Sequence, residues 1–217
     1  MNISSIAKAR YTTKAFDRAL TIPANKIAQL RDLLRYAPSS VNSQPWHYVM
    51  ACDMAGKARI AKAMSGNYAF NAAKVENASH IIVFCARLDI DEAYFETLLA
   101  QEQKDGRFAT EQARQGQDNG RRFFVGLNRQ NSAGIAKWIE KQVYLSLGTL
   151  LFGAAVLGID SCPMEGFDAS ILDEELGLRS KGLTSIVVAS LGYRSSEDFN
   201  AKVPKSRLPE QSIITQI

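Results

Sequence analysis

Histidine and cysteine are scarce in this chain: His47 and His80 are the only histidines, and Cys52, Cys85 and Cys162 the only cysteines, among 217 residues. The cysteines are far apart, odd in number and form no Cys-x-x-Cys pair, so neither a zinc site nor a disulfide framework has the spacing it needs. Buried free thiols in a reducing compartment are expected instead. The N-terminal MNISSIAKARYTTK has no apolar core, so no signal peptide is expected and the cytoplasm is the expected location. The net charge is +4, yet no five like charges run together and no basic stripe alternates with aromatics. A nucleic-acid partner therefore has no support, and the dispersed cations suit a small phosphorylated ligand better than a polyanion.

Several catalytic signatures are missing too. No Gly-x-Gly-x-x-Gly follows a strand, and Gly148–Gly153 has the spacing of a phosphate loop without the Lys-Ser/Thr that must follow it. There is no Gly-x-Ser-x-Gly elbow, and neither histidine has a triad-like context; His80 abuts an apolar strand as a structural residue would. Asp173, Glu174 and Glu175 lie in a polar helical stretch that reads as a solvated face. The apolar run at residues 143–159 carries no charge but falls short of the roughly 20 residues a bilayer requires, so no membrane partner is expected. It predicts a core helix buried on all sides, with Gly148, Gly153 and Gly158 admitting a neighbouring backbone.

What is present is mostly helical. Helical spacing marks 2–9 and 23–37, the latter with Ile27, Leu30, Leu33 and Leu34 on one face and Pro23 in the first turn. Further helices are predicted near 55–64, 70–78, 90–104 and 107–129, and a long one from near Ser132 to about Leu157. WHYVMAC (46–52), HIIVFCA (80–86) and TSIVVASLGY (184–193) read as strands. They are too widely separated for regular βαβ alternation, so the class is α+β. One domain spanning 1–217 is expected, with a polar helical excursion at about 91–131 that suits a mobile lid better than a core element. The tail, SIITQI, is β-branched and apolar; adding it as a strand to another subunit's sheet edge would satisfy its surface and its backbone groups.

Four separated segments together suit a flavin mononucleotide. Arg10-Tyr11-Thr12-Thr13-Lys14 offers a guanidinium and hydroxyls for a phosphate dianion. Ala37-Pro38-Ser39-Ser40-Val41-Asn42-Ser43-Gln44-Pro45-Trp46 is a polar loop directly before a strand. Asn71 and Lys74 share a helical face, where an amide can pair with a pyrimidine edge and an ammonium can stabilise charge gathered on reduction. Lys205 and Arg207, two apart on a proline-bounded extended segment, point to one side as a phosphate clamp needs.

These segments, with GNYAFN (66–71), DGRFAT (105–110), AKWIEKQVYL (136–145), PMEGFDA (163–169), EDFN (197–200) and PKSRLP (204–209), resemble the nitroreductase family along the whole chain. The likeness is close to its enterobacterial oxygen-insensitive NAD(P)H nitroreductase branch, also described as dihydropteridine reductases. The resemblance implies a homodimer with a central, mostly antiparallel sheet flanked by helices and a C-terminal strand exchanged between subunits. It implies FMN as cofactor, NADH or NADPH as donor, and nitroaromatics, quinones or pteridines as acceptors in a two-step ping-pong cycle. Arg10, Tyr11, Thr12, Lys205 and Arg207 would lie at the FMN phosphate, and Lys14, Asn71 and Lys74 at the pyrimidine side. Glu165 and Gly166 would present backbone near N5, and the opposite subunit would supply Pro38, Ser39, Ser40 and Asn42. Ser40 and Phe124 would meet the substrate, with Val41 standing where a threonine is usual. No side chain is expected to be catalytic, because the flavin does the chemistry, and no metal is expected. Many relatives carry His or Arg, then Ser, at positions 11 and 12; Thr12 keeps the hydroxyl, whereas Tyr11 alters the contact near the phosphate. The same resemblance covers flavin reductases, and a flavin carrier without turnover is the alternative from another class.

Overall fold

The computed structural model describes residues 2–130 and 134–217. The chain runs α1 (Ile3–Ala9), α2 (Ala24–Arg35), β1 (Trp46–Ala51), α3 (Met54–Ala61), α4 (Ala72–Asn77), β2 (His80–Arg87), α5 (Glu92–Lys104), α6 (Glu111–Gln130), α7 (Gly134–Val156), β3 (Asp160–Met164), α8 (Ala169–Leu176) and β4 (Leu183–Gly192). The strands form one sheet in the order β1-β2-β4-β3, with every neighbouring pair antiparallel. This is the α+β architecture expected from the sequence. Asp53, Asp91 and Asp168 start α3, α5 and α8 by accepting a backbone N–H in the first turn, as short polar caps do. Pro23 stands at the cap of α2, just outside the helix.

The unbroken apolar run of β2 is explained by cover on both faces. Successive strand side chains point oppositely. Ile82, Phe84 and Ala86 join Val187, Ala189 and Leu191 of β4 in a core closed by α2 and α7. Ile81, Val83 and Cys85 join Val188 in a second core with Ile60, Val75 and Leu172 from α3, α4 and α8. Cys85 and Cys162 are buried free thiols, but Cys52 is exposed.

The structure departs from expectation in several places. β3, Asp160-Ser-Cys-Pro-Met164, is short and carries a proline, which hides a strand from pattern reading; an edge position tolerates it, because no partner needs the missing N–H. The start placed near Ser132 lies outside the described residues. α5 and α6 are not detached from the core, since Phe95 and Val125 are buried within it. Nor is α7 buried all round: Leu145 is exposed, while Phe152 and Val156 are half-buried and line an apolar cleft with Leu33, Tyr36 and Leu157. Its glycines admit no neighbouring backbone. A Cβ on Gly153 would collide with the Leu33 side chain, Gly148 faces open space, and Gly158 takes φ +69° where the chain leaves the helix. No described helix is long and apolar enough to cross a membrane.

Asp173 is a further correction, for it is only 2% exposed. Its carboxylate accepts from the Ser185 N–H and hydroxyl, both at 2.7 Å, from the Thr184 hydroxyl at 2.8 Å, and from Arg179 Nε at 2.7 Å. It welds α8 to β4. Removing it strands buried donors, so Asp173→Ala should lower unfolding free energy by about 2–4 kcal/mol in chemical denaturation. Glu174→Ala, on the exposed side, should stay within roughly 0.5 kcal/mol of the parent.

Candidate active site

The N-terminal segment is laid against the free edge of β3. Thr13 N donates to the Ser161 carbonyl at 3.0 Å, and Thr12 bridges Ser161 in parallel fashion. The C-terminal segment returns over it, with Asn200 Nδ2 donating to the Thr12 carbonyl at 2.7 Å. Between them sits the buried carboxylate of Asp198, accepting from the Tyr11 hydroxyl at 2.7 Å and from Lys14 N at 3.1 Å. Burial and then this Asp198 bond raise the Tyr11 phenol to about 12. Tyr11 thus spends its hydroxyl on fastening two chain segments, which leaves its neighbours to contact an anion.

Arg10, Tyr11, Thr12, Lys205 and Arg207 line one cleft of about 210 Å³. Lys205 Nζ donates to the Ala7 carbonyl at 2.6 Å and to the Arg10 carbonyl, so it also closes the last turn of α1. Partial desolvation, followed by the Arg10 and Arg207 charges, pulls Lys205 below the usual lysine range. Such crowding of cations is relieved by a dianion. The donor set therefore fits a phosphate.

Farther along β3 the second group gathers. Lys74 Nζ donates to Asn71 Oδ1 at 2.7 Å, and Asn71 Nδ2 donates to the Gly166 carbonyl at 2.8 Å. Both side chains are buried. A Cβ on Gly166 would come within 3.0 Å of Asn71 Nδ2 and 3.2 Å of the Tyr68 ring, so glycine permits this close approach. Burial first, and then the charge of Lys14, lowers the Lys74 pKa. Burial raises the Cys162 thiol, and the charges of Lys14 and Lys74 oppose that rise. Glu165 is held from the other side by the Tyr144 hydroxyl at 2.6 Å. Burial and the Glu165 bond push that phenol well above its ordinary value.

The loop of Pro38, Ser39, Ser40, Val41 and Asn42 is not gathered with these groups. Its bonds run to α5, α6 and α7: Ser40 N donates to Gln142 Oε1 at 2.9 Å, Asn42 Nδ2 to Glu102 Oε1 at 2.8 Å, and Arg121 Nε to the Val41 carbonyl at 3.1 Å. Val41, Asn42 and Gln44 have φ of 49°, 51° and 44°. Left-handed backbone costs a non-glycine residue about 1–2 kcal/mol. Phe124 is half-exposed on α6, its ring centroid 5.3 Å from that of Phe123.

Sequence inspection missed Asp198, Asn200, Tyr144, Gln142, Glu102 and Arg121. Only Asp198 carried a local signal, an acid opening the Asp-Phe-Asn turn that it caps. The rest are polar residues in helices whose partners lie far off in sequence.

A model of the nitroreductase family matches residues 7–193. The oxygen-insensitive NAD(P)H nitroreductase of Salmonella typhimurium is 49% identical over 217 residues, all of both chains. That of Enterobacter cloacae is 47% identical over 216 residues, again all of both. The major NAD(P)H-flavin oxidoreductase of Aliivibrio fischeri is 33% identical, over 95% of this chain and 94% of its own. Among solved structures, a nitroreductase family protein of Streptococcus pneumoniae superposes with TM-score 0.80 at 21% identity, covering all of both chains. A candidate nitroreductase of Exiguobacterium sibiricum, solved in complex with FMN, gives TM-score 0.81 at 21% identity, covering 100% of this chain and 98% of that one. With the family model matched over residues 7–193 and a relative 49% identical along the whole chain, the chain belongs to the nitroreductase family.

Proposed function

We propose that the protein is an FMN-dependent NAD(P)H oxidoreductase, working in the cytoplasm as a homodimer of single-domain chains and reducing nitroaromatics, quinones or pteridines. One observation carries this: among the described residues, Arg10, Lys14, Lys74, Lys205 and Arg207 have no salt-bridge partner, although they line the two groups set along β3. Five uncompensated cations spaced this way suit a ligand with a phosphate at one end and a charge-accepting ring at the other.

FMN, when bound, would supply two-electron hydride chemistry between NAD(P)H and the acceptor in a ping-pong cycle. The chain's part is binding and orientation. Arg10, Thr12, Lys205 and Arg207 grip the phosphate. Lys14 and Lys74 face the pyrimidine side, where negative charge collects, and Asn71 fixes both Lys74 and the Gly166 carbonyl. The Tyr144–Glu165 bond fixes the Glu165–Gly166 turn, whose backbone would face the ring. Pro38, Ser39, Ser40 and Asn42 reach the cofactor of a second copy, and Phe124 flanks the acceptor beside Ser40 and Val41.

Two features support the dimer. The outward apolar side of α7 borders a cleft of about 520 Å³ that a partner would fill. β1 has no strand on its outer edge among the described residues, and none of its residues is fully buried, despite the sequence WHYVMA. The other edge of the sheet is already taken by Thr12 and Thr13. Exposed Ile213, Ile214 and Ile217 of a second copy suit the open β1 edge. Deleting 211–217 should shift sedimentation toward monomer; an unchanged profile would rule out this tail exchange.

The purified protein should be yellow or take up FMN, and should consume NAD(P)H steadily with a nitroarene or a quinone. Binding without consumption would make it a carrier. Lys205→Ala or Arg207→Ala should weaken FMN roughly ten- to hundredfold while leaving riboflavin, which lacks the phosphate, nearly unaffected. Equal losses for both ligands would remove the phosphate assignment.

Lys74 gives a pH dependence. Its pKa in the fold lies below the ordinary 10.5, so its positive charge is lost as pH rises through that lowered value. FMN affinity should therefore decline on the alkaline side before pH 10.5, and Lys74→Met should abolish that limb; a limb retained by the variant would assign it elsewhere.

A further inference from the structure

Glu102 and Arg121 form a buried ion pair on the α5–α6 excursion, outside both groups of cofactor residues. Arg121 is 1% exposed and Glu102 5%, and Arg121 Nη2 donates to the two carboxylate oxygens at 2.6 and 2.7 Å. Desolvating two charges is costly, and conformational positioning is one reason a fold retains such a pair. The remaining bonds name what is positioned. Arg121 Nε donates to the Val41 carbonyl, and Glu102 Oε1 accepts from Asn42 Nδ2. These two residues are left-handed, and for the β-branched Val41 that conformation is exceptional. Strained backbone persists only where its surroundings over-determine it. Gln142 holds Ser40 on one side and the Tyr94 hydroxyl holds the carbonyl of Gln44, the third left-handed residue, on the other, while the ion pair grips Val41 and Asn42. Phe124 follows Arg121 by three residues, one turn along α6.

We propose that Glu102 and Arg121 are positioning residues: their ion pair keeps Val41 and Asn42 left-handed, so that the Pro38–Gln44 loop has the shape that meets the cofactor, and couples that loop to the turn of α6 bearing Phe124. The part concerning FMN rests on the proposed function above, whereas the clamp on the loop does not. The excursion is then a component of the cofactor site, and the acceptor side and the cofactor loop move together.

The test uses the full chain with Arg121→Met, Glu102→Gln, Val41→Gly and the double variant Val41→Gly/Arg121→Met. In flavin-free protein, amide exchange at Asn42, Ser43 and Gln44 should accelerate at least about tenfold in Arg121→Met, while Ile82–Phe84 in β2 keep the parent rate. The Kd for FMN should rise about tenfold in the same variant. Because glycine adopts left-handed φ freely, Arg121→Met should change that Kd under about threefold in the Val41→Gly background. Exchange that rises equally in β2, or a Kd effect of the same size in both backgrounds, would overturn the proposal. Should Arg121→Met fail to fold, Glu102→Gln, which removes the ion pair and one of the two acceptor oxygens at nearly constant volume, carries the same expectations. A parent that binds no FMN but whose loop exchange answers to Arg121→Met would retain the clamp and sink the cofactor assignment, so the two failures are distinguishable.

Discussion

The bond from Thr13 N to the Ser161 carbonyl, with the Thr12 bridge beside it, is the constraint from which the site follows. It fixes a segment with no secondary structure of its own along the edge of β3. Arg10 is thereby carried to one end and Lys14 to the other, where Lys14 joins Lys74. Asp198 completes the fastening by holding Tyr11 and the Lys14 backbone at once. The cations themselves contribute little to this arrangement. Burial first, and neighbouring cations after it, depress the pKa values of Lys74 and Lys205, and the neutral backbone bonds and one buried carboxylate hold the segment in place against both costs. An anion-binding site built this way is strained before its ligand arrives and relaxed afterwards, which converts part of the fold's stability into affinity.

Edge strands explain the rest of the layout. An open edge exposes unpaired backbone groups and invites another chain. β3 settles its edge within the chain, by the N-terminal segment, and so acquires a site. β1 has no such cover, and its six residues match the length of the apolar tail that begins at Ser212. The half-exposed side of α7 borders the same kind of unfinished surface. In a fold whose two cores are each closed by helices on one face of a four-stranded sheet, the β1 edge and the outer side of α7 are two places of incomplete cover. The proposed second copy therefore completes surfaces as well as active sites.

Legibility in the sequence tracked how local each signal was. β2 and β4 announced themselves through apolar, β-branched runs, and α2 through Ile27, Leu30 and Leu34 on one face. β3 did not, because Asp160, Ser161 and Pro163 break every strand pattern, though it is the strand on which the site is built. Asp173 misled for a related reason: an acid within Asp-Glu-Glu reads as solvated, and only the tertiary arrangement of Thr184, Ser185 and Arg179 shows why one of the three is buried. Arg10, Tyr11, Thr12, Lys205 and Arg207 line one cleft although the two segments lie almost the whole chain apart, and no local pattern carries that pairing; only the family resemblance did. The amide and ammonium of Asn71 and Lys74 are the exception, since helical spacing alone brings them together.

The excursion shows why polar composition is a poor guide to mobility. α6 is among the most hydrophilic helices of the chain, and its polar residues look expendable one by one. Yet Arg121 is among the most completely buried large side chains in the protein, and Val125, one turn on, enters the main core. A guanidinium with a fixed fork of donors can satisfy a carboxylate and a carbonyl together, which no apolar side chain of that size does. Where a loop must sit in a conformation its own sequence disfavors, apolar packing supplies cohesion without direction, while a forked ion pair supplies both. The left-handed backbone of Val41 and Asn42 is the measure of that need, and it locates the reason for a buried charge in a helix that otherwise belongs to solvent.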